Sequence, residues 1–450
     1  MTKRRSVGIV LLLCTLVTSV SLTAQTQTKH DFSIQQAVDY AKKNNVQVKN
    51  ALLGVLIQKQ TNRSITAGAL PTLSGSGGMT DYLNIPTTLV PAQFFGGPPG
   101  SFAPVQFGTK YISTASLQLQ QTLFDGQVFV GLKARSTAMD YQQKNVEVTE
   151  EAVKTNIYKV YYQLVLSKTQ IELLDANIAR LEKLKHDISE MFKNGFAEKL
   201  DIDKISVQLS NLQTEKQKAL NTIDIGYYGL KFLMGMPIKD TLVLTDKITE
   251  DEIKTGILAD ASYQYTDRKD FQYLGLLKRL NEFNVKRYQL GYLPVLSLNG
   301  TYSKQAQRNT FDFTSSKGDW YTTSFIGLNL SIPIFDGFNK DSKIKQSRLE
   351  VQQIQNSMDN LKSSIDNEVQ QATLSFKTAI ITMDYQKKNM QLAENVYEQT
   401  RKKFEAGTGS NTEINTAQTD FKTAQTNYIN AMYDAIISKV DYLKATGKLQ

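Results

Sequence analysis

Leu70-Pro71-Thr72-Leu73-Ser74 is answered about 220 residues later by Leu293-Pro294-Val295-Leu296-Ser297. Leu123-Phe124-Asp125-Gly126 returns as Ile334-Phe335-Asp336-Gly337. Phe192-Lys193-Asn194-Gly195, with Asp201 downstream, returns as Phe404-Glu405-Ala406-Gly407, with Glu413 downstream. The echoes keep their order and nearly their spacing. The chain therefore reads as a tandem duplication of one strand-strand-long-helix unit, and a repeat of this kind decides architecture before any single residue does.

The alternations within each unit are those of half-buried strands. Ala115, Leu117, Leu119 and Leu123 alternate with Ser116, Gln118, Gln120 and Thr122. Ile326, Leu328, Leu330, Ile332 and Ile334 alternate with Gly327, Asn329, Ser331 and Pro333. Trp320-Tyr321 stands at the loop end of that second run, where an interfacial aromatic belt would sit. Long polar segments follow each strand pair, free of proline and able to reach ~100 Å as helices. The first carries a heptad, with Ile157, Leu164, Ile171 and Ile178 at one position and Val160, Leu174, Leu181 and Ile188 at the other. Residues 31–66 predict one further helix, and 84–110 a loop heavy in Pro and Gly.

The expected division is a signal peptide (1–24), a first repeat (25–235), a linker (236–262) and a second repeat (263–450). In the first repeat, hairpin strands 70–83 and 111–125 lead to a long helix 127–192, a tip 193–200 and a shorter helix 200–235. In the second, strands 293–305 and 321–336 lead to a long helix 338–404, a tip 405–411 and a shorter helix 411–446.

Lys3, Arg4 and Arg5 precede an apolar run from Val7 to Val20 that is too short to span a bilayer, and Ser21-Leu22-Thr23-Ala24 offers a cleavage site. The only cysteine, Cys14, lies inside that run, and Leu13 before it argues against lipidation. A mature chain without cysteine suits an oxidising compartment and excludes a disulfide scaffold. The net charge of +9 includes the three signal cations. The remaining Lys and Arg are interleaved with Asp and Glu along helices, which predicts a solvated helical surface and no nucleic-acid partner. A secreted, helix-rich chain with no later transmembrane helix can still be a membrane protein if its strands close a barrel.

No enzymatic constellation is present, and no catalytic, cofactor or metal residue is expected. His30 and His186 have no partner at triad or ligand spacing, Gly75-Ser76-Gly77-Gly78 lacks the Lys-Ser/Thr of a nucleotide loop, and Gly447-Lys448 ends the chain. The chemistry sits in the turns. Gly195 and Gly407 suit a left-handed helix stop. Ser410 and Glu413 form a capping-box pattern, and Asp201 favours the start of its helix. The same carboxylates, repeated by symmetry, could ring an aperture and meet cations or a partner.

These motifs, in this order and twice over, resemble the TolC-type outer membrane efflux proteins (outer membrane factors) across essentially the whole mature length. The resemblance implies a mainly α chain with membrane β structure: a homotrimeric β-barrel in outer-membrane lipid, continued by a periplasmic α-helical coiled-coil tunnel with residues 236–262 in an equatorial band. It implies a passive conduit working with a periplasmic adaptor (membrane fusion) protein and an inner-membrane pump of RND or ABC type. It places Phe192, Gly195, Asp201, Phe404, Gly407, Gly409, Glu413 and Thr416 at the aperture and adaptor-docking tips. The best-known member has an aspartate pair where this chain has Glu413 and Thr416, and a locking arginine where it has Gly409. A type I protein-secretion outlet is the alternative within the family. A secreted coiled-coil structural or adhesion protein without a pore is the alternative outside it.

Overall fold

The computed structural model describes residues 28–255, 263–313 and 318–449. The signal-peptide reading, and residues 256–262 of the linker, lie outside the described residues.

The N-terminal segment is not one helix. A short strand β1 (Lys29–Phe32) precedes α1 (Ile34–Asn44), and α2 (Val46–Ala67) follows a break at Asn45. Asn45 makes the break. Its Oδ1 accepts from the backbone N–H groups of Gln47 and Val48, capping α2, and its Nδ2 donates to the Leu233 carbonyl at 2.7 Å. A buried amide that satisfies a new helix start and a distant carbonyl outweighs the propensity to continue.

Next come β2 (Thr72–Asp81), β3 (Thr87–Pro91), β4 (Phe102–Gln106) and β5 (Tyr111–Phe124). The expected loop 84–110 thus contains an antiparallel β3–β4 ribbon, with Val90 opposite Ala103, and Pro91 and Pro104 sit in it as ribbon strands tolerate. Helices α3 (Gly126–Lys193) and α4 (Lys199–Met234) complete the first repeat. Strand β6 (Thr241–Leu244) pairs in parallel with β1, so the linker's Leu242-Val243-Leu244 is stitched to the N-terminal segment. After α5 (Glu250–Lys254), the second repeat consists of α6 (Lys269–Leu290), β7 (Val295–Arg308), β8 (Tyr321–Ser331), α7 (Asn339–Glu405) and α8 (Asn411–Ala445). Strand β8 stops five residues short of the expected Asp336, because Pro333 has no N–H to donate to a ladder. Helix α6, like α2 before β2, leads into a strand pair, so the duplicated unit opens with a helix.

The heptad of α3 packs as a seam. Ile157, Leu164, Leu174, Leu181 and Ile188 are buried, while Val160, Ile171 and Ile178 are half-buried. α3 packs along α4, and α7 along α8, with α8 also against α3. Near mid-length, Arg268 closes the helices into one body. Its guanidinium pairs with Asp270 at 2.7 Å and Glu368 at 2.9 Å and donates to the Ala445 carbonyl. Among the described residues no helix is long and apolar enough to cross a membrane.

Candidate channel wall and tips

The four long strands form one antiparallel sheet in the order β2-β5-β7-β8. Its register sorts side chains onto two faces. Gly75, Leu117, Tyr302 and Ser324 lie in one cross-strand row, and Leu73, Leu119, Gly300 and Ile326 in the next on the same face; Leu298 and Leu328 continue it. The opposite face carries Ser76, Ser116 and Ser303, then Ser74, Gln118 and Thr301. Ser76 and Ser116 hydrogen-bond there at 2.7 Å. A one-residue shift would exchange the two faces, so the pattern itself holds the register. The shift that does occur is local: between Thr122 and Phe124 the ladder skips Leu123, and Phe124 lies opposite Leu296. The expected Leu123 alternation therefore ends in a bulge. Both outer strands, β2 and β8, have one unpaired edge within the protomer.

At the far end of the long helices the two tips use one turn. In the first, the Gly195 N–H donates to the Phe192 carbonyl at 3.0 Å and the Phe196 N–H to the Met191 carbonyl at 2.8 Å. In the second, the Gly407 N–H donates to the Phe404 carbonyl and the Thr408 N–H to the Lys403 carbonyl, both at 3.0 Å. These are Schellman pairs, and Gly195 (φ +81°) and Gly407 (φ +74°) supply the left-handed residue the motif needs. The next helices start alike. Glu413 accepts from the Ser410 N–H at 3.3 Å while Ser410 Oγ accepts from the Glu413 N–H at 3.2 Å. Asp201 Oδ2 accepts from the Glu198 N–H at 3.3 Å, and its Oδ1 stands 3.7 Å from Lys204 Nζ.

The remaining tip residues separate. Phe404 is buried, 8% exposed, in a cluster with Ile414, Phe421 and Tyr397, whereas Phe192 is 43% exposed. Gly409 lies so close to the end of α7 that a Cβ there would stand 2.9 Å from Phe404 N. Thr416 is exposed and donates to the Thr412 carbonyl. Phe196 and Leu200, which the sequence reading passed over, are exposed beside Phe192. Their signal was proximity to Gly195. Also missed was a buried polar layer between α3 and α8, in the quarter of α3 nearest the tips. Asn177 Nδ2 donates to Gln425 at 2.8 Å, and Asn177 Oδ1 accepts from Gln418 and Arg180. Asn177 lies off the heptad positions of α3, and Gln418 and Gln425 lie in α8, where no heptad had been read, so the periodicity gave no sign of them.

Comparison with known proteins agrees with this geometry. The family model "Outer membrane efflux protein" matches residues 281–448. The chain is 21% identical over 341 residues to the outer membrane protein TolC of Vibrio cholerae, covering 75% of this chain and 77% of TolC. It is 21% identical over 350 residues to the alkaline protease secretion protein AprF of Pseudomonas aeruginosa, covering 76% of this chain and 69% of AprF. Its fold matches the crystal structure of the CmeC outer membrane channel of Campylobacter jejuni with a TM-score of 0.72 at 18% identity, over 92% of this chain and 86% of CmeC. The two-faced sheet, the duplicated long helices and these likenesses converge: the chain has the fold of the TolC-type outer membrane factors and is similar in sequence, over about three quarters of its length, to outer-membrane channel proteins of efflux and secretion systems.

Proposed function

We propose that three copies of this chain form one passive conduit that receives substrate from a periplasmic adaptor and an inner-membrane pump. The observation that carries the reading is the open, two-faced sheet. Four strands are too few for a membrane barrel, which needs about eight or more, and an unpaired edge in hydrocarbon is costly. Pairing β8 of one copy with β2 of the next removes every edge, and three copies give a barrel with the Leu328 face to lipid and the Ser116 face to the lumen. The helices support the same assembly. The outer helix α4 exposes Val207, Ile225, Tyr228 and Phe232, and the outer helix at the other side, α7, exposes Leu374, Ile381, Tyr385 and Leu392. Each stripe fits against the other in a neighbouring copy, continuing the tunnel wall.

In this reading the tips meet the adaptor. Phe192, Gly195, Asp201, Phe404, Gly407, Gly409, Glu413 and Thr416 lie at or beside the two turns, where a narrow helical end can be met end-on. Residues 236–262 would belong to the equatorial band. Both efflux and type I secretion fit this architecture, because substrate choice rests with the pump.

The test is Leu328→Arg. A cation on the lipid face near the midplane should cost about 2–4 kcal/mol and lower the yield of heat-resistant trimer in outer-membrane fractions. Asn329→Arg, on the opposite face, should assemble normally. Equal assembly of the two variants would overturn the barrel assignment. Reconstituted wild-type protein should conduct ions without nucleotide, and ATP hydrolysis by it would contradict a passive conduit.

A further inference from the structure

The charge of this chain is concentrated where the sheet meets the helices. Residues 63–71, 122–136, 284–296 and 332–348 flank the strand ends and hold nine Lys and Arg against three carboxylates, Asp125, Asp336 and Asp341. That surplus is two thirds of the chain's net charge of +9, in about an eighth of its length. Short segments join these strand ends to the helices, one residue between β5 and α3 and seven between β8 and α7, and every one of the nine cations lies within the first or last three turns of its helix.

The neighbours of these cations do not neutralise them. Lys340 pairs with Asp336 at 3.2 Å and Lys345 with Asp341 at 2.8 Å. Lys133, Lys286, Arg287, Lys343 and Arg348 have no carboxylate partner among the described residues. Arg287 and Lys343 instead share an aromatic ring. The Arg287 guanidinium lies 4.9 Å from the Tyr288 ring centre and donates to its hydroxyl at 3.1 Å, and Lys343 Nζ stands 5.8 Å from the same centre. Arg287 Nε is buried with no hydrogen-bond partner.

Between these cations and the sheet runs an exposed apolar rim of Phe124, Phe129, Leu293, Phe335 and Phe338. Phe338 is the one non-glycine residue with positive φ, +65°, among the described residues, and its ring packs edge-on against Phe335 at 5.5 Å. A strained backbone that keeps an aromatic ring in the open marks a position selected for contact.

We propose that this collar binds anionic glycerophospholipid headgroups of the periplasmic leaflet, with Arg287 and Lys343, which share the Tyr288 ring, as its phosphate-binding centre and Lys286, the residue before Arg287, adding a third cation. The proposal rests on the reading that the sheet spans the outer membrane. The order along the molecule argues for lipid: apolar sheet, aromatic rim, then unpaired cations at headgroup depth, since headgroups extend roughly 5–8 Å beyond each side of the ~30 Å hydrocarbon core. Arg offers a fork to phosphate and Lys a point charge, and each cation near an anionic leaflet is worth about a fivefold preference. An anionic cell-wall polymer would require no apolar rim beside the cations.

The test uses the full-length protein in vesicles of phosphatidylethanolamine with or without phosphatidylglycerol. Insertion is scored by protease protection, and lipid retained after detergent extraction by mass spectrometry. Wild-type protein should insert in both, retain phosphatidylglycerol at least fivefold above its share of the bilayer, and lose that enrichment at high salt. The triple variant Lys286→Gln, Arg287→Gln and Lys343→Gln should insert equally and lose the enrichment. The charge-preserving set Lys286→Arg, Arg287→Lys and Lys343→Arg should keep it, as should Lys110→Gln with Lys304→Gln at the other end of the sheet. Normal insertion without enrichment, or enrichment untouched by the triple Gln variant, overturns the collar alone. Loss of binding to isolated cell wall with lipid enrichment unchanged overturns it in favour of the polymer. Failure of wild-type protein to insert in either vesicle overturns the membrane reading itself.

Discussion

The two tips share a turn and differ in what they do with their aromatic ring. Both end a long helix with a Schellman pair around a left-handed glycine, and both start the next helix with an acid that accepts from the residue three positions before it. Yet Phe404 is buried against Ile414 and Phe421, while Phe192 stands open beside Phe196 and Leu200. The difference traces to one position. Gly409 lets the second loop lie against the end of α7, and its N–H donates to the Lys403 carbonyl at 3.1 Å. Two residues past the turn glycine in the first tip stands Ala197, whose Cβ a contact that close would exclude. Turn chemistry is thus a local property, and burial of the ring is decided by how closely the loop returns. The second tip is closed on itself, and the first presents an apolar surface.

The sharpest way to break this comparison is to remove both rings. Phe404→Ala should cost about 3–5 kcal/mol, as deletion of a buried phenylalanine does, and speed hydrogen exchange across residues 400–421. Phe192→Ala should stay within about 0.5 kcal/mol in stability, since an exposed ring loses little. If the first tip is the adaptor's apolar contact, Phe192→Ala should instead weaken adaptor binding in a pull-down. Equal destabilisation by the two substitutions would abolish the distinction between closed and open tips.

A smaller effect tests its cause. Gly409→Ala places a Cβ 2.9 Å from backbone, which cannot yield as a flexible side chain can, and should cost about 1–3 kcal/mol. Ala197→Gly should change stability by less than about 1 kcal/mol, the entropic cost of glycine. Exposure of Phe404 in the Gly409→Ala variant, read as new protease cleavage after residue 404, would make the second tip resemble the first. A Gly409→Ala variant as stable as wild type would mean that something else buries the ring.

What the sequence made legible here follows the range of the forces involved. Gly195, Gly407 and the Ser410–Glu413 box act within six residues, and their pattern was readable without a fold. The heptad from Ile157 to Ile188 was readable because a packed seam repeats its own period. Other features depended on partners far along the chain. The helix break at Asn45 needs the Leu233 carbonyl, and the Asn177 layer needs Gln418 and Gln425. The β3–β4 ribbon was hidden by its prolines, which read as loop. Helix α6 gave no stripe to find, since none of its residues is fully buried. Phe192 and Phe404 looked equivalent because each stands three residues before its turn glycine, and only packing tells them apart.

The finest distinction between the tips concerns charge. Glu413 is exposed and has no ion-pair partner among the described residues, while Asp201 stands 3.7 Å from Lys204. Both also cap a helix, so the test must spare the cap. Glu413→Gln does so, since Gln serves in a capping box, and stability should change by no more than a few tenths of a kcal/mol. What it removes is a charge that threefold symmetry would repeat around the aperture. Cation preference in single-channel recordings should therefore fall, most clearly near 0.01 M salt, where the Debye length is about 30 Å and an aperture charge acts across the whole lumen. Asp201→Asn should have the smaller effect, because the nearby ammonium of Lys204 already offsets its field. A reversed order would place the first tip, not the second, at the narrowest ring. Unchanged selectivity in both variants would leave the two carboxylates as caps, and the narrowest point of the conduit would have to be sought higher in the helices, where the Asn177 layer joins α3 to α8.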